Sequence, residues 1–169
     1  LTFLLSVLFA GGRSLWLDEA VTRGMVNQST SDLLSSLQDI DAVHGAYYVV
    51  MDAWTSIFGS GAAALRLPSA IFMAVACAGV VLLAHRFAGR RVALFSGFAF
   101  AVLPVVSAYG MEARSYALVT ALVTWGTYWL VRALQGQRFG WLPYGVTMVF
   151  ATWVFFYALL VLGAHAVTV

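Results

Sequence analysis

Four stretches without a formal charge dominate this sequence: residues 67–85, 92–111, 115–131 and 139–169. Each is long enough to cross the hydrocarbon of a bilayer, which takes about 20 mostly apolar residues in a helix. A helix crosses alone because its backbone donors and acceptors are satisfied within it. Only 9% of the residues are charged and 62% are hydrophobic, whereas a soluble domain carries about 25% charged residues to face water. The expected fold class is therefore all-α: a polytopic transmembrane helical bundle, with spans at 67–85, 92–111, 115–131 and 141–164. Residues 1–12 are apolar but too short to span, and read as the end of a first span. On that reading the chain is the N-terminal part of one transmembrane domain in a larger protein, cut at both ends. A signal peptide fits less well, since there is no basic n-region or small-residue cleavage site.

Orientation follows from arginine. The nine basic residues are all Arg. Arg86, Arg90 and Arg91 lie between the first two spans, and Arg132 and Arg138 between the third and fourth. Neither connection holds an acid, so both are expected on the cytoplasmic side. The alternate segments, 13–66 and the short connection around Glu112 and Arg114, then lie outside with all seven acids. The net charge of +2 thus marks topology and implies no nucleic-acid partner. The single Cys77 falls within a span and reads as a small apolar residue.

Residues 13–66 are too long for a bare connection and carry helical patterning. Asp18 is placed to cap a helix running to about Asn27. Leu33, Leu34, Leu37 and Ile40 give a second short helix one apolar edge. Ala46, Val49, Val50, Ala53, Trp54, Ile57 and Phe58 form an apolar stripe at helical spacing, with Tyr47, Asp52, Thr55 and Ser56 off it. These helices are expected to lie along the outer membrane surface.

Two charged clusters fall at that outer boundary. Asp18 and Glu19 have a plain reading as a helix cap and first-turn acids. Glu112 and Arg114 sit in a connection too tight to project into water, where ionisable groups face a cavity or one another. The competing reading is a structural ion pair, of the two with each other or with Asp18. Together the clusters suit chemistry on an ionic substrate: a carboxylate takes a proton from a hydroxyl, and an arginine fork holds a departing phosphate. Glycosyl transfer from a lipid phosphate sugar needs both.

Five segments also resemble successive blocks of the GT-C membrane glycosyltransferases, nearest to the protein O-mannosyltransferase and bacterial aminoarabinose transferase branch. They are Leu15-Trp-Leu-Asp-Glu-Ala-Val-Thr22, His44-Gly-Ala-Tyr-Tyr48, Leu65-Arg-Leu-Pro-Ser69, Gly89-Arg-Arg-Val-Ala-Leu94 and Glu112-Ala-Arg-Ser-Tyr-Ala-Leu118. The resemblance implies an inverting, polyprenyl-phosphate-sugar-dependent transferase, mannosyltransferase-like, in a bacterial plasma membrane with its active site outside. It implies that Asp18 is the catalytic base, that Glu19 supports it, and that Glu112 and Arg114 line the pocket near the lipid phosphate. His44 and Tyr48 match a block usually written with His-Pro-Pro; here Gly45-Ala46 replace the prolines. Some members of the superfamily use a divalent metal, for which Asp18, Glu112 and His44 are the candidate ligands; the spacing itself defines no ligand set. Asp39-Ile-Asp41 resembles a DxD metal motif, but two such acids at the end of a surface helix are commonplace. The expected partners are a polyprenyl-phosphate-linked sugar, a glycan, lipid or protein acceptor, and membrane lipids. Two other readings compete. A flippase for a lipid-linked sugar predicts paired broken helices near the midplane, and a non-catalytic scaffold predicts that Asp18 and Glu112 merely cap and pair.

Overall fold

The structure, a computed structural model, describes residues 1–8, 16–29, 31–33, 35 and 44–169. Its helices are α1 (Thr2–Leu8), α2 (Leu17–Val26), α3 (Gly45–Phe58), α4 (Ala62–Val102), α5 (Pro104–Gly110), α6 (Tyr116–Leu134), α7 (Trp141–Val154) and α8 (Leu159–Thr168). There is no strand among the described residues. The protein is an all-α membrane bundle of GT-C type. Most of the expected helix over residues 33–40 lies outside the described residues, as do Asp39, Asp41 and residues 9–15.

α4 has 41 residues and would be about 60 Å long if straight, twice the hydrocarbon thickness. Gly89 breaks it, with φ 78° and ψ −177°, a conformation that costs glycine little and other residues much. The two arms fold back on each other, so the Cys77 thiol meets the Gly97 carbonyl at 3.5 Å. A methyl group at Gly97 would lie only 2.4 Å from Val81 Cγ2. The Arg86–Arg91 segment is thus a reversal between antiparallel arms. The outgoing arm ends at Leu103, because Pro104 has no N–H to continue the ladder and starts α5 instead.

Residues 141–164, expected as one span, form two helices. α7 ends at Val154, Phe155 is extended at φ −155° and ψ 108°, and α8 begins at Leu159. Phe155 leaves helical geometry to stack on His44 (5.4 Å, 17°) and to meet the Tyr116 ring edge-on. α8 then returns alongside α7: His165 bonds Thr127 Oγ1 at 3.1 Å and the Tyr144 hydroxyl at 3.2 Å. Hydropathy is blind to this turn, since a charge-free hairpin and a charge-free span read alike. Among the described residues two helices, α4 and α6, are long and apolar enough to cross a membrane by length and composition.

The bundle has an arginine end, with Arg86, Arg90, Arg91, Arg132 and Arg138, and an acidic end capped by α2 and α3. The main apolar core sits under that cap, where Met25, Tyr47, Tyr48, Met51 and Leu65 meet Leu118 and Val154. α3 is turned contrary to its pattern. Tyr47 and Tyr48 are buried, while Val49, Ile57 and Phe58 of the apolar stripe are exposed. Where the surroundings are lipid, the apolar stripe faces out and the polar face turns inward. Trp54 fastens this helix to α4 by donating to the Ala64 carbonyl at 2.9 Å.

Candidate active site

The short turn after α5, residues 111–115, is gripped from three sides. The Thr22 hydroxyl donates to the Ala113 carbonyl at 2.9 Å, and the Ala113 N–H donates to Glu19 Oε1 at 3.0 Å. From the first turns of α4, Ser69 donates to the Glu112 carbonyl at 2.7 Å. Ahead of α3, His44 Nδ1 pairs with the Ser115 hydroxyl at 2.9 Å. Thus α2, α3 and α4, far apart in sequence, hold one turn whose Glu112 and Arg114 side chains carry charge.

Glu19 is the hub. It is buried, and its two oxygens accept both Nε (2.8 Å) and Nη2 (2.6 Å) of Arg66, which is also buried. They also accept the Ala113 N–H and the Trp16 N–H, the latter at 3.1 Å. Burial alone would raise its pKa, but the Arg66 fork and the two backbone donors overcome it and hold the carboxyl below its ordinary value. The helix start therefore belongs to Glu19 reaching back to Trp16, and not to Asp18, which lies one residue inside the first turn. With every acceptor direction occupied, Glu19 is a fixed negative charge.

Asp18, its neighbour, is 55% exposed and reaches Arg114 Nη2 at 4.0 Å. Arg114 is mostly buried and donates from Nη1 to the Tyr48 hydroxyl at 3.1 Å. Tyr48 is in turn fully buried. Burial, then the charges of Glu19 and Asp18, push the Glu112 carboxyl up, against the pull of Arg114. Its carboxylate has no hydrogen-bond partner among the described residues. Burial also pushes the Tyr47 phenol far up, so it stays protonated.

The structure thus brings Asp18, Glu19, Tyr48, Glu112 and Arg114 to one place, with His44 on the far side of the same turn. No three His, Cys, Asp or Glu side chains among the described residues are grouped to hold a metal ion. Beside His44, an apolar cleft of about 370 Å³ opens between α3 and α7, lined by Ala46, Val49, Val50, Phe150 and Trp153. Sequence reasoning missed Arg66, Thr22, Ser69 and Ser115 as members of this cluster. Arg66 had a legible signal: it is an ionisable residue at the very start of an otherwise charge-free span. The hydroxyls had none, since a Ser or Thr at a helix end is unremarkable.

The family model for dolichyl-phosphate-mannose-protein mannosyltransferase matches residues 46–168, which is α3 through α8. The chain belongs to that family. It is a membrane glycosyltransferase of the GT-C kind, and the family is of mannosyltransferase type. Neither a curated protein nor a solved structure matches the chain. Within the mannosyltransferase match lie Tyr48, Arg66, Glu112 and Arg114; Asp18, Glu19 and His44 precede it and are joined to it by the contacts above.

Proposed function

We propose that the protein transfers a sugar from a polyprenyl-phosphate donor to an acceptor hydroxyl at the extracytoplasmic face of a bacterial plasma membrane, with inversion. One observation carries this reading: of two adjacent carboxylates, Glu19 is locked in a buried fork while Asp18 stands open beside a buried arginine. That is the division of labour a single-step displacement needs. The acceptor hydroxyl gives its proton to Asp18 as its oxygen bonds to the anomeric carbon. The bond from that carbon to the phosphate oxygen breaks on the opposite face, and the polyprenyl phosphate departs with the electron pair. Arg114, steadied by Tyr48, is the cation nearest to the place where that charge develops. Glu112, whose carboxyl is pushed up by burial and by the charges of Glu19 and Asp18, lines the same pocket beside Arg114. Glu19 acts as a positioning residue through Ala113, and His44 through Ser115. The prenyl chain lies against apolar surface, for which the cleft between α3 and α7 is one candidate. The family description, with its dolichyl-phosphate mannose, supports a lipid-linked donor.

The test uses the full-length protein in nanodiscs with labelled polyprenyl-phosphate sugars and membrane acceptors. Asp18→Asn at matched folded yield is expected to lower transfer about 100- to 10,000-fold, the contribution of a positioned base. Undiminished transfer by that variant would remove Asp18 from the chemistry.

A further inference from the structure

The arginine end carries a feature that sugar transfer at the opposite end does not use. Arg86, at the end of the first arm of α4, and Arg132, in the last turn of α6, converge on one aromatic platform. The Arg86 guanidinium lies 5.5 Å from the Tyr128 ring centre, and that of Arg132 lies 5.9 Å from Tyr128 and 5.2 Å from Trp129. Each is also oriented by an amide oxygen, Arg86 by Gln135 and Arg132 by Gln137. Stacking and amide bonds hold a guanidinium in place without neutralising it. Among the described residues no carboxylate pairs with either, or with the exposed Arg90, Arg91 and Arg138 around them. The acid nearest in sequence, Glu112, belongs to the other end of the bundle. Five positive charges therefore share one rim uncompensated, ringed by exposed Phe87, Phe139 and Trp141 at the level where aromatics meet lipid headgroups.

We propose that this rim is a binding site for an anionic phospholipid headgroup, with Arg86 and Arg132 as the preformed phosphate fork and the exposed aromatics against the acyl chains. The occupant is a lipid because the platform lies at the end of two spans and is flanked by apolar side chains facing outward. Basic pockets between helices at this depth suit phospholipid phosphates.

The full-length protein in mild detergent is titrated with phosphatidylglycerol, with cardiolipin and with phosphatidylcholine, and bound copies are counted by native mass spectrometry. The expected result is retention of the anionic lipids over phosphatidylcholine, weakening as salt rises. Arg86→Gln/Arg132→Gln is expected to weaken anionic lipid binding about 30-fold, from roughly fivefold for each arginine near the surface. Arg23→Gln, which removes an exposed charge at the acidic end, should leave it unchanged. Equal retention of anionic and zwitterionic lipids by the unaltered protein would overturn the proposal, and needs no variant to fold. So would equal weakening by Arg23→Gln, or tight binding of soluble glycerol phosphate alone.

Discussion

Replacing Glu19 with Gln tests whether one buried ion pair holds the candidate site together. The substitution keeps shape and removes charge. Arg66, only 3% exposed, would then face a neutral amide, and breaking a buried pair from one side costs about 3–5 kcal/mol. The amide also has one acceptor oxygen where the carboxylate has two, so the Ala113 and Trp16 N–H groups compete for it. Trp16 is 68% exposed and can turn to water; the buried Ala113 N–H cannot. The loss is a third or more of the total stability of many domains, about 5–15 kcal/mol. Asp18→Asn changes the neighbouring residue by the same atoms, but that pair is open and 4.0 Å apart, so its stability cost is at most about 1 kcal/mol. Unfolding of both variants in one detergent, followed by tryptophan fluorescence against added denaturant, compares them. Glu19→Met/Arg66→Met removes both charges and leaves mainly the Ala113 N–H orphaned, at about 1–3 kcal/mol, so it should be more stable than Glu19→Gln. Equal small shifts for Glu19→Gln and Asp18→Asn, or a double variant worse than the single, would refute a buried, carboxylate-centred hub.

Two further outcomes follow from the geometry. The folded-state pKa of Glu112 is raised, so its contribution to stability is present below the ordinary carboxylate pKa and lost as pH rises through the raised value; Glu19 is lowered and behaves oppositely, losing its contribution only in stronger acid. Glu112→Gln should therefore be at least as stable as the unaltered protein at neutral pH, and should flatten the decline just above the ordinary carboxylate range in a pH series of unfolding midpoints. At the contact between α4 and α6, a Cβ on Gly79 would lie 2.7 Å from Thr124 Cγ2. Gly79→Ala should cost about 1–3 kcal/mol, and adding Thr124→Ser, which deletes that methyl group, should recover most of it in the same unfolding assay.

Much of this was legible because charge is costly in hydrocarbon. The charge-free runs and the arginine clusters identified the bundle, and Asp18, Glu112 and Arg114 stood out as ionisable groups where few are tolerated. What stayed hidden depends on facing and on single contacts. The stripe on α3 is legible as a helical pattern, yet the inward face is its opposite, since Tyr48 turns inward to meet Arg114. Phe155 breaks its helix to stack on His44, a partner far away in sequence that no local window contains. The roles of Asp18 and Glu19 could not be told apart from their adjacency; only Arg66 and the Ala113 amide separate an open carboxylate from a locked one.

The fork between Glu19 and Arg66 also has a bearing on how the chain is built. Synthesis delivers Glu19 first, and its partner follows 47 residues later, at the start of α4. Until then the acid waits in water on one face of the membrane. If α4 enters the bilayer inverted, Arg66 arrives about 30 Å away on the other face, and the acid has nothing to pair with. Only one orientation of α4 closes the fork, and the Glu19 it holds is one of the groups that grip the turn carrying Arg114. The closed pair is thus tied to one threading of α4, since it forms only where Glu19 and Arg66 lie on the same side of the membrane.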